Sequence, residues 1–250
     1  MITFCIPLRS KQVSRDWEGV CRIFNRTLHS VYRQTDPNFR IYIACHEIPE
    51  LEHHYDERVQ FLVSDSPIPQ THDEMLLDKG WKIELISRKI REYGGGYTML
   101  VDADDLVSNR IAEYAAQHPG ENGFLSDTGY IYNEGDTYCK QVRRLHRTCG
   151  SCSIVNYTVE DLPEQMPENL WDERHVDTFI IRKSHRQIPD YMASLGRPLQ
   201  TIPFPITVYV RNTGENHSML KGNDLSWKRK VELLIQPRIP IERLREEFGF

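Results

Sequence analysis

Through residues 1–100, short apolar runs alternate with stretches whose apolar positions recur every three or four residues. Residues 2–6, Ile-Thr-Phe-Cys-Ile, form a run that ends at Pro7. Trp17, Val20, Cys21, Phe24, Leu28 and Val31 then fall on one helical stripe, which Asp36-Pro37 closes. Residues 41–45 and 59–63 predict a second and a third buried strand. Thr71 and Glu74 stand at capping-box spacing ahead of a helix whose apolar face carries Leu76, Ile83, Ile86, Ile90 and Tyr93. Gly94-Gly95-Gly96 stops that helix. Residues 97–101 predict a fourth strand, which runs straight into Asp102-Ala103-Asp104-Asp105.

Strands separated by helices imply an α/β fold, a mostly parallel sheet flanked by helices. Ligands of such sheets bind at the carboxyl ends of the strands. Pro7-Leu8-Arg9-Ser10, His46-Glu47 and the aspartate cluster all fall at such ends. Beyond about residue 120 the pattern is irregular. Residues 123–127, 130–132 and 206–211 predict short strands, and 160–174 read as an acidic loop with two prolines. A helix is expected over about 175–185, and residues 226–250 read as helical with breaks at Pro237 and Pro240. No repeat, low-complexity tract or Gly/Ser linker divides the chain. One compact domain is therefore expected, with halves at 1–110 and 111–250.

Composition sharpens this picture in two places. The chain of 250 residues is 39% hydrophobic and 27% charged, as soluble globular proteins are, and such a length buries about three quarters of its unfolded surface without staples. A net charge of -5 and a pI near 6.1 give no basic field to hold phosphate backbones, so a nucleic-acid partner is not expected. Six cysteines are too few for a disulfide scaffold, and Cys5, Cys21 and Cys45 read as small core residues. The opening lacks the pattern of a signal peptide, and no run reaches the ~18 apolar residues of a membrane span. A cytoplasmic setting is expected, with peripheral association at the inner membrane surface left open.

Chemistry concentrates in Tyr-Thr-Met-Leu-Val-Asp-Ala-Asp-Asp-Leu-Val-Ser, residues 97–108. Packed carboxylates repel one another unless a cation neutralises them. Hard ions such as Mg²⁺ or Mn²⁺ prefer their oxygens. In an extended segment Asp102 and Asp104 point to the same side. An isolated pair of this kind is more often a solvated acidic turn, with Asp105 near a helix start. Its place after the fourth strand of an α/β pattern favours the metal-binding reading.

Here the sequence resembles the GT-A-fold glycosyltransferases, in particular the inverting family 2 enzymes. The resemblance runs from residue 2 to about 110 and is patchy to about 218. ITFCIPLRS is like the family's opening strand, TLHSVYRQT at 27–35 like its first helix, and IYIACHE like its second strand. YTMLVDADDLVS is similar to its D-x-D strand and is the specific element. The resemblance implies a GT-A-type (Rossmann-like) sheet with an irregular acceptor half. It implies Pro7 and Arg9 along a nucleotide, and Glu47 where the family has a base-reading aspartate. Lys79 and Lys82 would reach the diphosphate, Asp102 the ribose or sugar, and Asp104 the metal, with Asp105 acting less directly. The catalytic base would be Glu173 or Asp172 in NLWDERHVDTFIIR, or Asp177 four residues past Glu173. The loop YVRNTGENHS would bring His217 to the metal and Arg211 to the leaving diphosphate. Each of these has an ordinary alternative, a capping acid or a solvated basic side chain.

Two further signals are set aside. Cys149-Gly-Ser-Cys152 has the spacing of a metal or redox pair but lacks two further ligands and a redox motif's setting, and reads as a loop lining the acceptor site. The basic run at 140–147 reads as a solvated strand face, with a polyanionic or lipid acceptor as its functional alternative. The function expected is metal-dependent transfer of a sugar from a nucleotide-sugar, a UDP-sugar in the first place, to a hydroxyl of a glycan or lipid-linked glycan, with inversion. The rivals are an aspartyl-nucleophile phosphatase or phosphotransferase and a non-catalytic nucleotide-sugar-binding protein. The former normally carries its aspartates after the first strand, where this chain has them after the fourth.

Overall fold

The structure is a computed structural model that describes residues 1–169, 178–214 and 236–250. Four strands, β1 (Ile2–Pro7), β2 (Phe39–Cys45), β3 (Val59–Val63) and β4 (Gly96–Leu100), pair in parallel. Between them run α1 (Trp17–Tyr32) and α2 (His72–Glu92). After β4 come β5 (Leu106–Val107), α3 (Ile111–Gln117), β6 (Gly123–Leu125), β7 (Thr128–Asn133), β8 (Tyr138–Arg143) and β9 (Ser153–Tyr157). The described chain then holds α4 (Ile188–Ser194), β10 (Gln200–Thr201), β11 (Thr207–Arg211), β12 (Arg238–Pro240) and α5 (Arg245–Phe248).

The main sheet has seven strands in the order β10-β6-β9-β4-β1-β2-β3, and only β9 runs against its neighbours. It is the mostly parallel, helix-flanked sheet that the alternation of signals implies. Both of its faces are covered, so its strands read as continuous apolar runs. Alternate residues go to opposite sides. Phe4 and Ile6 meet Phe24, Leu28 and Val31 of α1 on one face. Cys5, Tyr42 and Ala44 meet Ile83, Ile86 and Ile90 of α2 on the other. Asp16 caps α1 by accepting from the Gly19 N–H at 2.9 Å. Thr71 and Glu74 close a complete capping box on α2. Gly95, at φ +85, turns the chain from α2 into β4; a Cβ there would stand 2.3 Å from the Tyr157 carbonyl oxygen.

A second sheet of five strands, β12-β8-β7-β11-β5, packs around Leu106, Tyr132, Val208, Val210 and Phe248. β4 ends the approach through the first sheet and β5 opens the second, so the aspartate cluster between them bridges the two.

Three expectations are corrected. Over 178–185 the described chain forms a 3₁₀ turn, Ile180–Arg182, and Lys183 is extended. Ile180 and Ile181 are both buried, and a short turn lets consecutive side chains fill one gap. Residues 238–240 are a strand rather than helix, at the edge of the second sheet, where Pro240 leaves no ladder donor missing. Cys21 lies half-buried at the rim of α1, while Cys5 and Cys45 are core; all six cysteines are free thiols. Among the described residues no helix is long and apolar enough to cross a membrane.

Candidate active site

The aspartates leave β4 in a tight turn. The Asp105 N–H donates to the Asp102 carbonyl at 3.0 Å. Thr27 of α1 holds the turn from below, its hydroxyl donating to the Ala103 carbonyl at 3.1 Å. Ser151 holds it from the side, accepting from the Asp102 N–H at 2.9 Å and donating to Asp105 Oδ2 at 2.7 Å. The three carboxylates then part. Asp105 turns inward and is fully buried, where Cys149 Sγ donates at 3.1 Å and the Val210 N–H at 3.3 Å. Burial first, then the neighbouring Cys149, Asp104 and Asp102, push its carboxyl well above the usual range. Asp105 thus ties the turn to the second sheet and does not face a ligand, which corrects its expected part in metal binding.

Asp102 and Asp104 are half-buried and open onto a cavity of about 290 Å³ at the carboxyl ends of the strands. Lys79 of α2 reaches Asp102 Oδ1 at 2.5 Å. Partial desolvation works against the Lys79 ammonium, but Asp102 above all, with Asp104 and Asp105, raises its pKa above the usual value. Gly150 approaches Asp102 from the other side, where a Cβ would lie 3.2 Å from Oδ2. The cavity's apolar lining includes Pro7, Val13, Val20, Ile23, Pro69 and Met75. Arg9, Asp78, Lys79 and Lys82 add charge, and Thr148, Gly150, His185, Tyr209 and Thr213 line it as well.

Lys82 is 1% exposed and donates to Asp78 Oδ2 at 2.6 Å. Asp78 Oδ1 accepts from the Ser66 hydroxyl at 2.9 Å, and that hydroxyl also lies 3.1 Å from His46 Nε2. Burial lowers the Lys82 pKa against the pull of Asp78. The pair sits one helical turn below the rim that Lys79 and Met75 form.

Of the residues the sequence points to, Pro7, Arg9, Lys79, Lys82, Asp102 and Asp104 line this one cavity. Glu47 instead accepts from the Ser10 hydroxyl and the Lys11 N–H, both at 3.0 Å, and so braces the chain after β1. Arg211 ends β11, where its carbonyl accepts from the Glu134 N–H. Asp172, Glu173, Asp177 and His217 lie outside the described residues. Among the described residues no three His, Cys, Asp or Glu side chains converge as a closed metal cage. Two carboxylates on a cavity fit a magnesium-type ion, which takes one or two carboxylates and completes its shell with phosphate oxygens and water. Sequence reasoning missed His185 and Asp78, and took Tyr209 and Thr213 only as parts of the loop that carries Arg211 and His217. These come from elements far apart in the chain, and no local spacing marks them.

No protein-family model matches the chain, and no curated protein matches it. Solved structures do. The Staphylococcus aureus protein TarS superposes over 93% of this chain at 11% identity and a TM-score of 0.46. This chain spans 42% of that structure's length. A Bacillus anthracis protein described as a glucose-1-phosphate thymidylyltransferase, solved with sucrose, covers 89% of this chain and is itself covered to 94%, at 10% identity and a TM-score of 0.42. HddC from Yersinia pseudotuberculosis, complexed with GMP-PN, covers 84% and is covered to 90%, at 11% identity and a TM-score of 0.36.

Proposed function

We propose that this chain is a glycosyltransferase that takes a sugar from a nucleotide-sugar, a UDP-sugar in the first place, and moves it to a hydroxyl of a glycan or lipid-linked glycan with inversion. The observation that carries the proposal is one cavity, at the carboxyl ends of parallel strands, whose lining brings together apolar side chains, the cationic Arg9, Lys79 and Lys82, and the carboxylates of Asp102 and Asp104. A nucleobase suits the apolar lining to which Val13, Val20 and Met75 contribute. Arg9, Lys79 and Lys82 offer donors to a diphosphate. Asp104, with Asp102, would hold Mg²⁺ or Mn²⁺, and that ion would act as a Lewis acid on the leaving diphosphate. The chain's own residues bind and orient the donor around it. Lys79 holds Asp102 in one rotamer, and Ser151 holds the backbone on which both acids stand.

The test is a melting scan with UDP, GDP, CDP and TDP, each with and without Mn²⁺. Ligand at 100 times its dissociation constant stabilises a fold by ~2.7 kcal/mol. Each kcal/mol is worth roughly 2–4 °C in a chain of this size. UDP with Mn²⁺ should raise the melting point by about 5–10 °C. UDP alone should do far less, because the cation and the diphosphate each make the other's site. A flat response to every nucleotide would remove this reading.

A further inference from the structure

The cavity lining carries a histidine that no motif singles out. His185 lines it together with Asp102, Asp104, Lys79, Thr148 and Gly150. Its Nδ1 lies 2.5 Å from the His146 carbonyl oxygen. A carbonyl oxygen only accepts, so Nδ1 carries the hydrogen. In the neutral ring Nε2 is then a bare lone pair, and among the described residues nothing donates to it.

The backbone that carries the ring is anchored on both sides. Before it, Ile180 and Ile181 are buried against α2, and Arg182 Nε stands 3.1 Å from Glu84 Oε1. After it, the Ser184 carbonyl accepts from the Gln187 and Ile188 N–H groups as α4 begins. A base held by packed neighbours keeps its geometry through the reaction. The charged groups close enough to act on it are Asp102 from the end of β4, Lys79 from α2 and its neighbour Arg186, with the His146 imidazole as a further titratable group nearby. Burial above all, with Arg186 and Lys79, outweighs the Nδ1 contact and Asp102 and holds the ring's pKa below the usual imidazole value. At neutral pH the ring is therefore free of its second proton.

We infer that His185 Nε2 is the proton acceptor for the attacking hydroxyl, an assignment that rests on the transferase reading above. As the hydroxyl oxygen bonds to the donor's anomeric carbon, its proton passes to Nε2. The bond from that carbon to the diphosphate oxygen breaks, and the diphosphate leaves with the electron pair. The imidazolium so formed faces Asp102 and gives its proton to water when the nucleotide departs.

The experiment compares the wild type with His185→Asn and His185→Ala. The asparagine amide can still donate to the His146 carbonyl in place of Nδ1, but it offers no base. The first readout is the melting shift with UDP and Mn²⁺. The second is the pH dependence of UDP release from UDP-glucose and UDP-N-acetylglucosamine, with water as acceptor. Both variants should keep the shift and the donor KM while kcat falls at least 100-fold, within the 10²–10⁴ range for a lost general base. The acid limb of wild-type kcat, centred below the ordinary histidine value of about 6.5, should vanish. Added imidazole should restore part of the turnover of His185→Ala. Turnover within threefold of wild type in His185→Asn overturns the assignment and leaves the transferase reading standing. A variant that loses the UDP and Mn²⁺ shift along with turnover makes His185 a binding residue, and also overturns it. A wild-type chain that neither shifts with any nucleotide nor releases UDP overturns the reading, and this inference with it.

Discussion

The buried pair Asp78–Lys82 sets stability and ligand binding against each other in a way that can be measured. Lys82 is 1% exposed and Asp78 4%, and the ammonium meets the carboxylate at 2.6 Å. The second oxygen of Asp78 has the Ser66 hydroxyl at 2.9 Å, and His46 Nε2 stands at 3.7 Å. Lys82→Met removes the ammonium and leaves a carboxylate out of water with one neutral donor. Breaking a buried pair from one side costs about 3–5 kcal/mol, which in a chain of this length is roughly 6–20 °C of melting temperature. Removing both charges costs far less, because the desolvation penalty of each ion disappears with its partner's attraction. The double variant Asp78→Leu with Lys82→Met should therefore melt above Lys82→Met alone, with a coupling of at least about 1 kcal/mol in a double-mutant cycle. A lysine whose pKa is depressed by folding contributes stability that is present above its unfolded pKa and lost as pH falls through the folded one. The wild type should thus gain stability relative to the double variant as pH rises toward the ordinary lysine value of about 10.5. Chemical denaturation with and without UDP completes the assay. If Lys82 also serves the diphosphate, the double variant folds yet loses much of the nucleotide shift. Single and double variants of equal stability would refute the electrostatic account of this pair.

Other outcomes follow from single contacts. Asp104→Ala should leave the melting temperature nearly unchanged, since the side chain is half-buried at a cavity rim, but lower transfer at least 100-fold if it holds the metal; a folded variant with near-normal turnover would refute this. Gly80→Ala, a change worth ~1 kcal/mol of helix stability elsewhere, should destabilise by about 2 kcal/mol, because the new Cβ would stand 1.7 Å from Arg182 Nη1 and push the guanidinium off Glu84; equal or higher stability in urea unfolding would show that Arg182 moves freely. For Asp105, whose carboxyl is pushed up by burial, the stability it contributes is present at acid pH and lost as pH rises through its folded value. The wild type should therefore lose ground to Asp105→Asn as pH rises above the ordinary aspartate value of about 4, and a wild type that instead gains on the variant with rising pH would refute the assignment.

The strands and helices of the first half were legible because each is long enough to bury a face. β1 and β2 are sandwiched between α1 and α2, so all their residues but Thr3 and Arg40 are apolar, and the helices show their stripes against them. The capping box and the glycine run marked their own boundaries. The second half was legible only in part, for the same reason inverted. The short strands expected at 123–127, 130–132 and 206–211 are β6, β7 and β11, but β5 and β10 are two residues each and β9 is a five-residue strand with two polar positions. Such pieces are strands because the sheet beside them supplies partners, not because of their own pattern. Part of the cavity was visible beforehand. Pro7, Arg9, Asp102 and Asp104 follow from the rule that ligands meet strand ends, and Lys79 and Lys82 from the family resemblance, whereas His185 reaches the cavity from a turn and Tyr209 from within β11, both placed there only by tertiary packing.

The aspartate cluster shows how one motif divides its work. In sequence, Asp102, Asp104 and Asp105 are three like charges within four residues. Like charges so close are tolerable only if they are neutralised or kept apart. The fold does both: Asp102 takes Lys79, Asp105 is buried under Ser151, Cys149 and Val210, and Asp104 stays at the cavity rim. Because Asp105 bonds to β11 and to the Cys149–Cys152 turn, any load on the rim acids is carried to both sheets. The turn is held at Thr27, Ser151 and Val210, three separate elements, which is what a site must have if two oxygens are to meet a ligand at fixed spacing. Loosening the buried acid should therefore disturb ligand binding at the rim before it disturbs the fold.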